Sequence, residues 1–258
     1  MKIIVLMKQV ANKDAVLRIA SDEKWINETD VAQQTNESDG YALEEALRTV
    51  EAKGEGEVIV CTLGPQGART VIKDALARGA NRAIHIIVDD SKILSSYQIA
   101  KCIAEAVREE NADLIFTGLQ SDDASYGQTG VILAELLGIP HATIVIEVDR
   151  ESLGKTLRVK RELESGWYQW FMYQLPALLT IQSGISQIRY ASLKGIMAAK
   201  SKEVREVTPA IETFTSAAKI EKVYMPLKTK QTQILGNGDA KAGAVELVEN
   251  LRTEVRVI

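Results

Sequence analysis

Several residue types that carry chemistry in enzymes are scarce in this sequence of 258 residues. There are two cysteines and two histidines, without the spacing that zinc sites or redox C-x-x-C motifs require. The sequence also lacks a P-loop, a G-x-G-x-x-G fingerprint and a G-x-S-x-G nucleophile elbow. His85 lies in an apolar strand pattern and His141 follows a proline, so both are interpreted as structural. We therefore expect a binding protein without its own catalytic constellation, and no metal site.

Long apolar runs and strong charge of one sign are absent too. No run approaches the roughly 20 residues that span a bilayer, and the apolar N-terminal run is too short for a signal peptide. The net charge is -4, which argues against nucleic acid as the main partner. Cys61 and Cys102 sit in apolar patterns typical of buried thiols. We expect a cytoplasmic protein of bacterial type, without a targeting segment or membrane insertion.

Short apolar runs alternate with amphipathic helical patterns along the first part of the chain. Strands are predicted at 3–7, 58–62, 83–88, 113–117 and 142–148, with a further short strand possible at 16–19. Residues 8–14 are interpreted as a polar loop, and Ser38 as the N-cap of the first helix. This alternation predicts the α/β class, with a doubly wound, mostly parallel sheet.

The pattern changes after Arg150. Residues 156–174 alternate in polarity around a turn at 164–166, which predicts an antiparallel hairpin with Leu157, Val159 and Leu163 on one side. A strand follows at 176–182, and residues 183–238 show little periodicity. A final amphipathic helix is predicted at 240–251. We place the nucleotide-binding domain at 1–185, the hairpin included.

Residues 113–130 are the most informative stretch. An apolar strand is followed by a polar loop and then by the start of a helix at Gln128. Ligands of open α/β sheets bind at the carboxyl ends of the strands, and a helix start offers free N–H groups to a phosphate. Asp122 and Asp123 are interpreted as caps and not as magnesium ligands. The stretch therefore predicts a nucleotide site, although an ordinary βα loop has the same residue types.

Five blocks of sequence resemble the beta (small) subunit of electron-transfer flavoprotein. They are KIIVLMKQV at 2–10, ALARGANRAIHI at 75–86, GLQSDDASYGQTGVILAELLGIP at 118–140, VKRELESG at 159–166 and RYASLKGIMAAKSKE at 189–203. The resemblance implies a heterodimer with an alpha subunit that accepts electrons from dehydrogenases through a shared FAD and passes them to an acceptor. It further implies a sheet of the adenine-nucleotide-binding type and a structural AMP in this subunit. FAD would lie mostly on the alpha subunit.

The same resemblance assigns site residues. The AMP site would be formed by Leu6, Asn36, Ser38, Asp39, Leu63, Gly118, Gln120, Ser121, Asp122, Asp123, Gly127, Gln128 and Thr129. The loop 10–16 would face the flavin, with Asp14 where some relatives have a tyrosine that stacks on the ring. Ser165 replaces a glycine usual at the hairpin turn, and the hairpin is expected at the subunit interface.

Residues 181–203 would dock the dehydrogenase, with the partner-recognition loop proper at 186–203. Partner-binding residues would be Tyr190, Leu193, Ile196 and Met197. Leu193 resembles the family's anchor, whereas Ile196 or Met197 is expected to pack on the chain's own domain. Residues 204–258 would form an arm and a helix packed on the alpha subunit.

Two other functions remain open at this stage. An electron-bifurcating relative would hold a second FAD in place of AMP, although Gln128-Thr129-Gly130 favours AMP. A stand-alone ATP- or AMP-binding protein would leave the docking loop and the arm unexplained.

Overall fold

A nine-stranded sheet forms the centre of the chain. The computed structural model describes residues 1–89, 94–210, 220–227 and 232–257, and it divides into two compact units, Met1–Val223 and Tyr224–Ile258. The strands are β1 (Lys2–Leu6), β2 (Gln9–Ala11), β3 (Gln33–Thr35), β4 (Glu57–Gly64), β5 (Arg82–Ile87), β6 (Leu114–Gly118), β7 (His141–Asp149), β8 (Thr156–Glu162), β9 (Tyr168–Gln174), β10 (Ala177–Ile181) and β11 (Val204–Val207).

Helices separate most of the parallel strands. They are α1 (Glu37–Lys53), α2 (Arg69–Arg78), α3 (Ser96–Val107), α4 (Thr129–Leu137), α5 (Leu193–Ala199) and α6 (Ala240–Asn250). α3 begins with a capping box, because the Ser95 hydroxyl accepts from the Gln98 N–H while the Gln98 side chain accepts from the Ser95 N–H. α1 ends at Gly54, which has a left-handed φ of 81°. A residue with a side chain would be strained in this conformation.

The strand order explains where a ligand can bind. The sheet runs β11-β5-β4-β1-β6-β10-β7-β8-β9, parallel from β11 to β7 and antiparallel in the β8–β9 hairpin. From β1 the chain proceeds to β4 and β5 on one side, and then returns to β6 on the other side of β1. This change of direction creates a crevice at the carboxyl ends of β1 and β6. The predicted mostly parallel α/β sheet is confirmed.

Apolar side chains cover both faces of the sheet. Ile3 and Val5 of β1 pack on one face in a cluster with residues of α1 and α2. Ile4 and Leu6 pack on the other face with residues of α3 and α4. Burial on both sides is why the parallel strands appear in the sequence as continuous apolar runs. Phe116 of β6 is the largest fully buried side chain.

Three sequence predictions for residues 8–38 are wrong. The predicted polar loop contains β2, which pairs antiparallel with β3 in a separate two-stranded sheet. No strand forms at 16–19, where Ile19 makes only an isolated bridge with Ile26. The N-cap of α1 is Asn36, not Ser38, which lies inside the helix. Its hydroxyl instead donates to the Gln120 carbonyl at 2.8 Å, a tertiary contact that local sequence does not encode.

The segment after residue 183 is more ordered than its weak periodicity suggests. α5 follows a cap by Ser192, and β11 pairs with β5 as an edge strand, so the sheet includes residues 204–207 of the predicted arm. The hairpin is confirmed, and Leu157 and Val159 are buried. Leu163, however, is exposed, because β8 ends at Glu162.

The second unit contains α6 as predicted. Asp239 caps this helix by accepting from the N–H groups of Lys241 and Ala242. Its apolar residues Val245, Leu247 and Val248 are exposed. Nowhere in the described part of the chain does a helix combine the length and apolar character needed to cross a membrane.

Candidate functional site

A cavity of about 740 Å³ opens where β1, β4 and β6 end. The register brings Leu6 opposite Cys61, and Val5 opposite Phe116, so the loops after these strands converge on one place. We name this space the strand-end cavity. Its volume lies within the range of small-molecule sites in proteins, about 300–1,000 Å³.

Ten of the thirteen predicted AMP-site residues line the strand-end cavity. They are Leu6, Asn36, Asp39, Leu63, Gly118, Gln120, Ser121, Gly127, Gln128 and Thr129. The other three, Ser38, Asp122 and Asp123, do not line it and instead hold the loop that forms its rim. The structure thus brings the predicted set together from four separate parts of the chain.

Hydrogen bonds to the start of α1 fix the rim loop. Asn36 Nδ2 donates to the Gln120 carbonyl at 3.0 Å, and Asn36 Oδ1 accepts from the Asp122 N–H at 2.9 Å. Asp122 Oδ2 in turn accepts from the Glu37 N–H at 3.1 Å, so it caps α1 from another part of the chain. The polar residues of the rim loop and of the start of α1 therefore hydrogen-bond to one another, which fixes the shape of the rim.

Asp39 joins the ends of β1 and β6. One carboxylate oxygen accepts from the Lys8 N–H at 2.8 Å, and the other from the Gly118 N–H at 3.0 Å. Burial raises the pKa of Asp39 to about 7, against the effect of these hydrogen bonds. Gly118 is required here, because a Cβ would lie 2.2 Å from Ser38 Oγ and 2.3 Å from Asp39 Oδ1.

Lys8 belongs to the cavity wall, although the sequence pattern did not identify it. Its Nζ lies 2.6 Å from Asp123 Oδ1 and 3.4 Å from Ser121 Oγ. Burial alone would raise the pKa of Asp123, but the charge and hydrogen bond of Lys8, together with hydrogen bonds from Ser121 and the Ala124 N–H, outweigh burial and lower the pKa, so this carboxylate is ionised at neutral pH. A lysine directly after a strand that ends at the site was the available signal.

The remainder of the wall comes largely from apolar side chains of α3, α4 and neighbouring segments. The additional lining residues are Met7, Trp25, Cys61, Leu94, Ser95, Ser96, Tyr97, Ile99, Ile103, Thr117, Leu119, Ala124, Tyr126, Gly130, Ile132, Ile220, Glu221 and Lys222. The cavity thus combines an apolar wall with backbone N–H groups at the start of α4, which suits a flat base and an anionic group.

Cysteine and histidine supply no nucleophile to this cavity. Cys61 lines it, but burial raises the pKa of the thiol to about 12, so the thiol is protonated at neutral pH. Cys102 is buried and also unpaired. His85 is fully buried, with Nε2 3.2 Å from the Gly64 carbonyl. The positions of His85 and of the two cysteines agree with their structural interpretation.

The predicted flavin-facing loop is buried at its start and exposed towards its end. Val10 is buried in β2, whereas Asp14 and Val16 are exposed beyond it. The Asp14 N–H donates to Asn12 Oδ1 at 2.9 Å, which makes a local turn. Asp14 does not line the strand-end cavity, so its carboxylate is available to a ligand or partner outside that cavity.

The predicted partner-binding residues are all exposed. Tyr190 is 96% exposed, Leu193 78%, Met197 59% and Ile196 46%. The expectation that Ile196 or Met197 packs on its own domain is therefore wrong. Instead α5 approaches α2 through Gly195, and this face carries no large side chain. The apolar side chains of this segment are therefore open to solvent.

The hairpin turn accommodates Ser165 in a left-handed conformation. Ser165 has a φ of 58° and Gly166 a φ of 78°. Arg161 of β8, the strand before the turn, anchors that strand to β7 by donating to the Thr143 carbonyl at 2.7 Å and to Thr143 Oγ1 at 2.6 Å. Ser165 thus occupies a conformation that glycine adopts more easily.

Comparisons with known proteins agree on one class. The family model described as Electron transfer flavoprotein domain matches residues 24–212. Electron transfer flavoprotein subunit beta of Methylophilus methylotrophus is 32% identical over 97% of this chain and 98% of its own length. The mitochondrial subunit beta of Oryza sativa subsp. indica is 34% identical over the full length of both chains. The human subunit beta is 32% identical over 81% of this chain and 82% of its own.

The fold and the matched region define an electron transfer flavoprotein domain. The chain belongs to the electron transfer flavoprotein family, and within it to the beta subunits. The resemblance drawn from the five sequence blocks is thereby confirmed. Family membership supports a role in flavin-linked electron transfer.

Proposed function

We propose that this chain is the beta subunit of a heterodimeric electron-transfer flavoprotein. It accepts electrons from a dehydrogenase through an FAD shared with the alpha subunit, and passes them to an acceptor. The observation that carries the proposal is the strand-end cavity, which is lined by ten of the thirteen residues that the family resemblance assigns to AMP. The chain itself acts as an electron-carrier subunit and not as an enzyme.

AMP would occupy the strand-end cavity. The first N–H groups of α4, from Gln128 to Gly130, would bind its phosphate, and the helix start supplies partial positive charge there. The apolar wall around Ile99 and Ile103 suits the adenine. Gly130 is needed for the close approach of α4 to the sheet, since a Cβ would lie 2.9 Å from Thr117 Oγ1. AMP supplies no redox chemistry.

FAD would lie mostly on the alpha subunit, with its ring facing residues 10–16. When bound, it supplies the electron-accepting group. The exposed carboxylate of Asp14 would disfavour negative charge on the ring by electrostatic repulsion. The second unit would pack on the alpha subunit through the apolar face of α6, where Val245, Leu247 and Val248 are exposed.

The dehydrogenase would dock on the surface formed by Tyr190, Leu193, Ile196 and Met197. An exposed apolar anchor surrounded by polar residues is typical of interface hot spots. Leu193→Ala should raise the KM of a flavin-dependent dehydrogenase for the heterodimer by roughly tenfold or more and leave FAD and AMP content unchanged.

Glu105→Ala is the control. Glu105 is exposed on α3, and α3 packs on the opposite face of the sheet from α2, against which α5 lies. An unchanged KM for Leu193→Ala, in an assay where Glu105→Ala behaves as wild type, would remove Leu193 from the docking surface.

A further inference from the structure

Residues 189–202, here named the α5 segment, combine high exposure with unusually firm attachment. The segment carries the exposed side chains of Tyr190 and Leu193, and its helix is only seven residues long. A helix of this length is not stable by itself in water. Contacts with α1 and α2 at both ends and in the middle must therefore hold it.

Arg189 holds the N-terminal end. Its guanidinium donates twice to Glu44, at 2.9 and 3.1 Å, and twice to Glu51, at 2.6 and 2.9 Å. The Arg189 N–H also donates to Glu44 Oε2, at 3.1 Å. Both carboxylates lie on α1, so one side chain fixes the backbone next to Tyr190 against a rigid helix.

Arg189 and the two glutamates stabilise one another's charged forms. Burial would raise the pKa of Glu44, but Arg189 and Arg48 outweigh it and the pKa is lowered. Hydrogen bonds from Arg189 lower the pKa of Glu51 as well. The paired arrangement uses the planar fork of arginine, which a lysine does not reproduce.

α2 holds the middle and the end of the segment. A Cβ on Gly195 would lie 2.1 Å from the Ala77 carbonyl oxygen, so the backbone of α5 is in direct contact with α2. Lys202 Nζ donates to the carbonyls of Leu76 and Ala80, at 2.9 and 2.6 Å, at the C-terminal end of α2. The exposed apolar side chains therefore project from a backbone fixed at three points.

We propose that Arg189 is a positioning residue for partner docking, which it serves by holding the α5 segment in its binding shape before the partner arrives. The inference rests on the docking role in the proposed function. A surface ordered in advance loses less conformational entropy on binding, and so binds more tightly for the same contacts. Arg189 itself need not touch the partner, because its guanidinium is already used on Glu44 and Glu51.

The test compares Arg189→Gln with Arg48→Gln in the heterodimer carrying its flavin. Arg48 also donates to Glu44, at 2.9 Å, but it lies on α1 and does not hold the segment. The electron donor is a purified flavin-dependent dehydrogenase that reduces the wild-type heterodimer, chosen from a panel. Steady-state reduction gives KM and kcat, and amide hydrogen exchange reports on residues 190–200.

We expect Arg189→Gln to raise the KM about tenfold, with kcat retained within about twofold, and to accelerate amide exchange in the segment by at least as much. Arg189→Lys should recover only part of the KM, and Arg48→Gln should change neither quantity. Combining Arg189→Gln with Glu51→Gln should add little to the effect of the arginine change alone, because both remove the same contact.

Leu193→Ala separates this inference from the docking proposal. If Leu193→Ala raises the KM and Arg189→Gln changes neither the KM nor amide exchange, the positioning role is refuted while docking stands. The positioning role is refuted as well if Arg189→Gln accelerates exchange without any change in KM. If no dehydrogenase reduces the wild-type heterodimer, or if neither Leu193→Ala nor Arg189→Gln changes the KM, the docking role of the α5 segment is refuted.

Discussion

Gly118→Ala should destroy the strand-end cavity through a single methyl group. The new Cβ would lie 2.2 Å from Ser38 Oγ, 2.3 Å from Asp39 Oδ1 and 2.8 Å from the Asp39 backbone nitrogen. The last atom belongs to the backbone of α1, which cannot rotate away as a flexible side chain would. The helix and β6 must therefore separate.

The expected cost combines two effects. Forced repacking of a dense site costs about 1–3 kcal/mol. Separation also breaks the 3.0 Å hydrogen bond from the Gly118 N–H to Asp39, which leaves a buried carboxyl group short of a partner and adds about 1 kcal/mol. We expect the free energy of unfolding to fall by about 3 kcal/mol, and bound nucleotide to be lost.

Urea unfolding and the nucleotide content of the purified protein provide the assay. Gly154→Ala is the matched control, since nothing lies within 4 Å of a Cβ at Gly154 and its φ is not left-handed. This control should change stability by less than about 0.5 kcal/mol. A Gly118→Ala protein as stable and as rich in nucleotide as Gly154→Ala would refute the packing argument.

Three further perturbations address single interactions. Asp39 binds its proton more tightly in the folded protein, with a pKa of about 7 against 3.8, so the stability from protonation is fully present below about pH 4 and is lost as pH rises through 7. In Asp39→Asn the side chain cannot titrate, and its amide group turns a donor toward a backbone N–H. Urea unfolding should therefore give a lower free energy of unfolding than for wild type, and the difference between the two proteins should narrow from pH 5 to pH 8. Ser95→Ala removes the capping box of α3 and should lower the free energy of unfolding by about 1 kcal/mol, without loss of the helix by circular dichroism. Lys8→Met leaves the Asp123 carboxylate unpaired at the cavity, so calorimetry should find AMP binding weakened roughly tenfold and adenosine binding nearly unchanged. Equal losses for both ligands would contradict the charge argument.

The central sheet was predictable because its strands are buried on both faces. Runs such as residues 3–7 and 58–61 are apolar throughout, and the helices between the strands have clear buried faces. β2 and β3 escaped prediction, since strands of three residues depend on each other and not on a local pattern. β11 contains Arg205 and Glu206, whose ion pairs with Glu110 and Arg69 are contacts far apart in sequence.

The candidate site was predictable to the extent that its residues follow strand ends. The strand-end rule and the family resemblance together identified Asp39, Gly118 and Gln128. Neither identified Lys8, which was interpreted as part of a loop, nor the wall around Ile99 and Ile103, whose periodicity indicated only a buried helix face. One face of α3 lines both the cavity and the hydrophobic core. Its sequence pattern shows that this face is buried, but only the three-dimensional structure shows which of its residues reach the cavity.

α5 shows a different limit. Ile196 and Met197 follow Leu193 at helical spacing, from which we expected Ile196 or Met197 to pack against the chain's own domain. The structure turns Gly195 toward α2 instead, and leaves the apolar side chains exposed. The segment is held to the domain by a glycine, an arginine and a lysine, whereas its apolar side chains, which in most helices face the core, are exposed.

Chromatography of the nucleotides released by denaturation would test the proposed function most directly. The sample is this chain purified together with its alpha subunit. We predict one FAD and one AMP per heterodimer, with the AMP lost selectively in Gly118→Ala. Two FAD and no AMP would instead indicate a bifurcating relative, and ATP or no nucleotide without a co-purifying subunit would contradict the proposal.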